Sequence, residues 1–239
     1  MTTLFISDLH LTPQRPHITR LFFDLLRNEA RSADALYVLG DLFEYWIGDD
    51  AAGMLGYAPV VQEVAELTRC GVPVYFMHGN RDFLVGDRFA TDAGCEILDD
   101  PTVVDLYGEP ALLMHGDFLC TDDVEHQRFR AMVGDPDWQR SFLEKPVEER
   151  MQMAESAREH SRHHKDSVTM EIMDVNTDAV RRIFDEYGVR LLIHGHTHRP
   201  AVHDGQPTGT RRIVLGDWYE QGSVLRCTPE AHKLEPVPV

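Results

Sequence analysis

LLIHGHTH, residues 191–198, sets three histidines within five residues immediately behind a short apolar run. Leu191, Leu192 and Ile193 are consecutive and apolar, too short a run for a typical helix, so they read as a strand buried on both faces. Histidines crowded at the end of such a strand rarely serve packing. The same pattern recurs four times upstream. Thr3 to Ser7 leads into Asp8-Leu9-His10, and Ala35 to Leu39 into Gly40-Asp41. Val72 to Met77 leads into Gly79-Asn80-Arg81-Asp82, and Ala111 to Met114 into His115-Gly116-Asp117.

Further apolar runs lie at Val103 to Tyr107, Ile213 to Leu215 and Ser223 to Cys227. Between runs, Leu21, Phe22, Leu25 and Leu26 form one helical stripe, and Val60, Val61, Val64 and Leu67 another. A third helix is expected over Val175 to Tyr187, with Val180, Ile183 and Phe184 inward. The first half therefore reads βαβαβ, the middle as a hairpin turning at Gly108 and Glu109, and the end as strands again. The expected fold class is α/β, a two-sheet sandwich flanked by helices. Ligands of open α/β sheets bind beyond the carboxyl ends of strands, where the five polar blocks can converge.

The chain has 239 residues and a net charge of −17, which argues against a general nucleic-acid binder and against a nuclease. The four cysteines (Cys70, Cys95, Cys120, Cys227) form no CxxC pair, so reduced thiols in a cytosol are expected rather than a disulfide framework. The first residues, MTTLFISDLH, lack the basic and apolar segments of a signal peptide, and no apolar stretch is long enough to span a bilayer.

One segment departs from the pattern. From 120 to 174 no strand is evident, and the sequence is charged and Met-rich. It reads as a helical insertion within a single domain spanning 1–239, placed as a lid. Phe129, Met132 and Val133 form one apolar cluster and Trp138, Phe142 and Leu143 another; Arg150, Arg158, Arg162, His163, His164 and Lys165 follow. A helical subdomain packing these apolar residues on itself fits the pattern equally.

Imidazole, carboxylate and one amide oxygen, with no thiolate, suit Mn²⁺, Fe²⁺ or Zn²⁺. Asp8, His10, Asp41, Asn80, His115, His196 and His198 are too many donors for one ion, whereas a bridging aspartate divides them four and four. Two divalent ions in such a site clamp a phosphoryl oxygen and activate water. Taken singly, each block also has a structural reading as a cap or turn; the five in order are specific.

The series DLH, GD, GNRD, HGD and GHTH, from residue 8 to 198, resembles the calcineurin-like metallophosphoesterase superfamily. The resemblance implies a four-layer αββα sandwich. It implies one metal on Asp8, His10, Asp41 and His198 and a second on Asp41, Asn80, His115 and His196, with Asp41 bridging. Where that family usually has a histidine after Gly-Asn, this chain has Arg81, which cannot donate a proton at neutral pH but grips phosphate oxygens. A leaving group that departs as a stable anion is therefore expected, such as one half of a diphosphate.

GDLFEYWIGDD (40–50), EIMDVN (171–176) and IHGHTHRPAVH (193–203) resemble the branch of that family acting on UDP-2,3-diacylglucosamine in lipid A synthesis. That implies a lipid-linked nucleotide sugar cleaved to UMP and 2,3-diacylglucosamine 1-phosphate, Mn²⁺ dependence, and peripheral association with the cytoplasmic face of an inner membrane. No obligate protein partner is implied. Asn80, Arg81 and His196 become the candidate catalytic residues. By position, the substrate contacts fall on Asn80, Arg81, Asp123, Ser161, Lys165 and His196. The branch usually shows Ser, Asn four residues on and Lys three further, whereas this chain has Ser161, Lys165 and Val168. Arg158, Arg162 and Lys165 are expected to face the diphosphate, or to form a solvated helix face. Phe129, Met132, Trp138 and Phe142 are expected to line an acyl groove, or to form the core of the insertion. His194 either orients a ligand or ends its strand. Competing readings are hydrolysis of a soluble nucleotide or dinucleoside polyphosphate, and a scaffold that has lost its metals.

Overall fold

A computed structural model describes residues 1–167, 172–205 and 208–238, with the side chains of 162 and 164–167 outside the description. Two mixed sheets face each other. The first comprises β1 (Thr3–Ile6), β2 (Ala35–Leu39), β3 (Val74–Met77), β4 (Glu96–Leu98), β10 (Gly222–Cys227) and β11 (His232–Val237), in the order β11-β10-β1-β2-β3-β4. The second comprises β5 (Thr102–Leu106), β6 (Glu109–Met114), β7 (Leu191–His194), β8 (Ala201–Asp204) and β9 (Arg211–Val214), in the order β5-β6-β7-β9-β8.

Strand alternation sorts side chains between layers. Leu4 and Ile6 of β1 and Leu36 and Val38 of β2 face α1 (Pro16–Arg27), α2 (Ala58–Arg69) and α3 (Asp87–Ala93). Phe5, Leu39 and Met77 face the other way and meet Ala111, Leu113, Leu191 and Ile193 between the sheets. Leu112, Met114 and Leu192 leave the second sheet on its outer side and pack on α7 (Thr177–Tyr187) through Val180, Ile183 and Phe184. The result is a four-layer αββα sandwich, as expected. Three further helices, α4 (Val124–Val133), α5 (Pro136–Leu143) and α6 (Val147–Ser167), occupy the 120–174 segment.

Several expectations need correction. The hairpin turns at Tyr107 and Gly108, both with positive φ, and Glu109 already belongs to β6. The third helix begins at Thr177, because Asn176 caps it by accepting from the backbone of Asp178 and Ala179. Val61 is only half-buried. Strands β4, β8 and β11 were not foreseen, and all three are sheet edges.

Candidate metal centre and cavity

Each ligand block ends a strand with a reversal of the chain. Asp8, His10, Asp41, His196 and His198 all have positive φ, between 47° and 68°, a region that non-glycine residues rarely occupy. Close approach of backbones makes the turns possible. A Cβ on Gly79 would collide with the Asp41 carboxylate, and one on Gly195 with Ser7 and Asp8. Asp82 ties the ends of β2 and β3 together, its buried carboxylate accepting from the backbone N–H of Gly79, Asp41, Leu42 and Phe43 at 2.8–3.3 Å.

The seven predicted ligands are brought to one place. Asp8, His10 and His198 converge, as do Asp8, Asp41 and His115. Asp41 Oδ2 lies 3.8 Å from His10 Nε2 and 3.8 Å from His115 Nε2, between the two halves of the cluster. Asn80 Oδ1 lies 3.0 Å from His115 Nε2 and 2.9 Å from His196 Nδ1. His198 Nε2 stands 3.3 Å from Asp8 Oδ1 and 3.3 Å from His10 Nε2.

The rings are aimed from behind. His115 Nδ1 donates to the Leu39 carbonyl at 2.9 Å, and His198 Nδ1 to Asp217 Oδ2 at 2.9 Å, so both turn Nε2 toward the cluster. Burial alone would lower both imidazole pKa values, yet the buried carboxylates outweigh it. Asp41 and Asp8 raise His115 to about 10, and Asp8 and Asp217 raise His198 to about 9. Burial lifts Asp41 to about 6, with His115 opposing, whereas burial loses to His198 at Asp8, which stays well below the carboxylate range. Asp8 Oδ1 is buried and meets no hydrogen-bond partner by geometry among the described residues. A dense set of nitrogen and oxygen donors, with an unsatisfied carboxylate oxygen at its centre and no thiol, fits divalent cations.

Beside Asn80 opens a cavity of about 540 Å³. Its polar end holds Asn80, Arg81, His126 and Ser161; Phe83, Phe129, Met132, Trp138 and Phe142 form much of the apolar wall. The four apolar residues expected to line a groove therefore do so, although Phe142 also belongs to the main core. Arg81 donates to Ser161 Oγ at 3.4 Å, and its Nε is buried with no acceptor among the described residues. Arg158 lines the cavity but is engaged by Glu44 at 2.8 and 3.1 Å. Asp123 is not on the cavity wall; buried, it caps α4 by accepting from the His126 backbone at 3.0 Å. The Lys165 and Arg162 side chains, and Val168 altogether, lie outside the described residues. His194 ends β7 and accepts from Arg212 Nη1 at 3.1 Å; burial and Arg212 hold its pKa down to about 3.

Sequence reasoning missed two participants. Asp217 follows the Ile213 to Leu215 run as Gly216-Asp217, the same pattern as the other blocks, and was overlooked. His126 of α4 packs against His196 with ring centroids 5.0 Å apart and planes tilted by 31°, while Arg130, one turn on, donates to Asp117 at 3.0 Å. A His and an Arg at i, i+4 on a polar helix gave too faint a signal.

Comparison with known proteins bears on the fold and the family. A solved archaeal phosphodiesterase superposes with a TM-score of 0.52 at 12% identity, over 99% of this chain and 100% of that one, which speaks for the fold alone. UDP-2,3-diacylglucosamine hydrolase of Xanthomonas oryzae pv. oryzae is 54% identical over 98% of both chains. That of Stenotrophomonas maltophilia is 53% identical over 95% of this chain and 94% of its own. The family model for calcineurin-like phosphoesterases matches residues 1–200. With that match and relatives above half identity over nearly the whole length, the chain belongs to the calcineurin-like phosphoesterase family.

Proposed function

We propose that this chain hydrolyses the diphosphate of UDP-2,3-diacylglucosamine to UMP and 2,3-diacylglucosamine 1-phosphate. The observation that carries the reading is the cavity beside Asn80, with phosphate-binding groups at one end and aromatic and methionine side chains along the rest. A diphosphate attached to two acyl chains has that distribution of polarity. Relatives 53–54% identical over nearly the whole chain carry the corresponding name.

In this reading Asp8, His10, Asp41 and His198 hold one divalent ion and Asp41, Asn80, His115 and His196 the other, most suitably Mn²⁺. Bound there, such ions lower the pKa of water and neutralise charge on phosphoryl oxygens. The rest falls to the chain. Arg81 offers its buried Nε–H to the phosphate of the acylated sugar and anchors its own backbone by donating N–H to Asp41 Oδ1 at 2.8 Å. It supplies no proton, and none is needed, because a phosphate monoester leaves as a stable anion. Ser161 and Lys165 bind from α6, and His196 from the end of β7. Helices α4, α5 and α6 act as a lid that excludes water and receives the acyl chains.

No helix among the described residues is long and apolar enough to cross a membrane. The substrate is reached instead by peripheral docking on the cytoplasmic face of the inner membrane, for which exposed Val124, Met132, Leu143 and Met153 provide apolar contacts. The test is UMP release from UDP-2,3-diacylglucosamine in detergent by protein stripped of metal and resupplied with Mn²⁺. Wild type is expected to release UMP, and Asn80→Ala to lose that activity. Retained cleavage of an artificial phosphodiester without cleavage of the lipid would remove the substrate assignment and leave the metal centre.

A further inference from the structure

The cavity and Arg81 serve the half of the substrate that carries the acyl chains, beside Asn80 and the second ligand set. The other end of the cluster carries a second guanidinium with an unmet need. Arg15, at the start of α1, bonds the carbonyl of His10 through Nη2 and stands 3.4 Å from Glu44. Its Nη1 is buried and meets no acceptor among the described residues. A buried guanidinium N–H without an acceptor is costly, which marks a place where an anion belongs. The Arg15 guanidinium carbon lies 4.7 Å from the ring centroid of Tyr219. Tyr219 in turn lies parallel to His10, centroids 5.4 Å apart at 7°, and 5.5 Å from His198. It is 41% exposed and presents an aromatic surface at the rim of the site. Glu44 joins the two halves, accepting from Arg15 on one side and from Arg158, a residue of the cavity wall, on the other.

We propose that Arg15 and Tyr219 form the nucleotide subsite, Arg15 binding the phosphate that bears the uridine and Tyr219 supporting the pyrimidine. The assignment rests on the diphosphate reading above. A diphosphate laid across the ligand cluster with its acylated end at Arg81 delivers its other phosphate to the His10 end, where Arg15 waits. A charge-assisted N–H to a phosphate oxygen suits Arg at both positions, and a pyrimidine suits an aromatic neighbour.

The two products separate the two arginines. Binding of UMP and of 2,3-diacylglucosamine 1-phosphate to the Mn²⁺-loaded protein is measured as product inhibition and by calorimetry. Arg15→Ala is expected to weaken UMP about ten- to hundredfold and leave the acylated product unchanged. Arg81→Ala is expected to do the reverse. Arg15→Lys, keeping charge but not the fork, falls between wild type and Arg15→Ala. Equal weakening of both products by Arg15→Ala, or of neither, overturns the assignment. So does loss of a bound metal ion in Arg15→Ala, which would make Arg15 a support for His10 alone. If wild type fails to cleave the lipid while Arg15→Ala still weakens UMP, the substrate reading falls and the nucleotide subsite stands. If wild type cleaves the lipid while Arg15→Ala binds UMP as before, the subsite falls and the substrate reading stands.

Discussion

Asp8, His10, Asp41, His196 and His198 sit in a backbone region that costs roughly 1–3 kcal/mol for each such residue. Strain concentrated on the predicted ligands is a mark of function independent of side-chain identity. Their identity was legible because a polar block behind an apolar run is a local pattern. Asp217 obeyed that pattern but stood alone, without a second chemical residue to draw the eye. Its bond to His198 predicts that Asp217→Ala weakens metal at the His10–His198 half of the cluster about 10- to 100-fold. Metal titration followed by elemental analysis checks this, and full occupancy in the variant would sink it. The raised pKa values of His115, about 10, and His198, about 9, mean that both rings are protonated at pH 7 without metal. Coordination requires a bare Nε2, so loading releases protons and acid weakens it; affinity rises with pH up to about 10. Calorimetry in buffers of differing ionisation enthalpy reads the release, and a heat independent of buffer would contradict it.

At the scale of elements, most recovered strands are buried on both faces, where apolar runs are continuous; the edge strand β5 was legible through Val103, Val104 and Leu106. The edge strands β4, β8 and β11 contain no fully buried residue and carry Glu, His, Asp and Lys, so no long apolar run announces them. The helices of the 120–174 segment were legible as helical, but their seats were not, because docking depends on residues distant in sequence. Arg150 of α6 is 2% exposed and donates to the Ile47 carbonyl and to Asp50. Arg158 reaches Glu44, and Asp117 receives Arg130. Arg150→Ala is expected to destabilise the protein by about 2 kcal/mol, through lost charge-assisted bonds and an orphaned buried carbonyl. Asp50→Ala is expected to cost a comparable amount although Asp50 is itself exposed, because it leaves the buried Arg150 guanidinium without its carboxylate. Urea unfolding of the two variants tests this, and a negligible loss in either would refute it.

Across the whole molecule, the residues that would hold the two proposed ions come from both sheets. Asp8, His10, Asp41 and Asn80 follow β1, β2 and β3, whereas His115, His196 and His198 follow β6 and β7. None of this long-range pairing is written in any local stretch; it follows from which face of each strand the core claims. Ions bound there would act as rivets between two layers that otherwise meet through apolar contact and a few hydrogen bonds, such as that from His115 to the Leu39 carbonyl. A rivet of this kind couples loading to the spacing of the sandwich at its catalytic edge. Each ion present at 100 times its Kd adds about 2.7 kcal/mol of stability, so chelation should lower Tm and restored Mn²⁺ should recover it. A Tm indifferent to chelator would mean that the layers hold their spacing unaided. If ions act as such rivets, substitutions that thin the inter-sheet core at Phe5, Leu113 or Ile193, none of them a ligand, will be partly rescued by excess metal. Such losses of packing would then surface first as a demand for more cation.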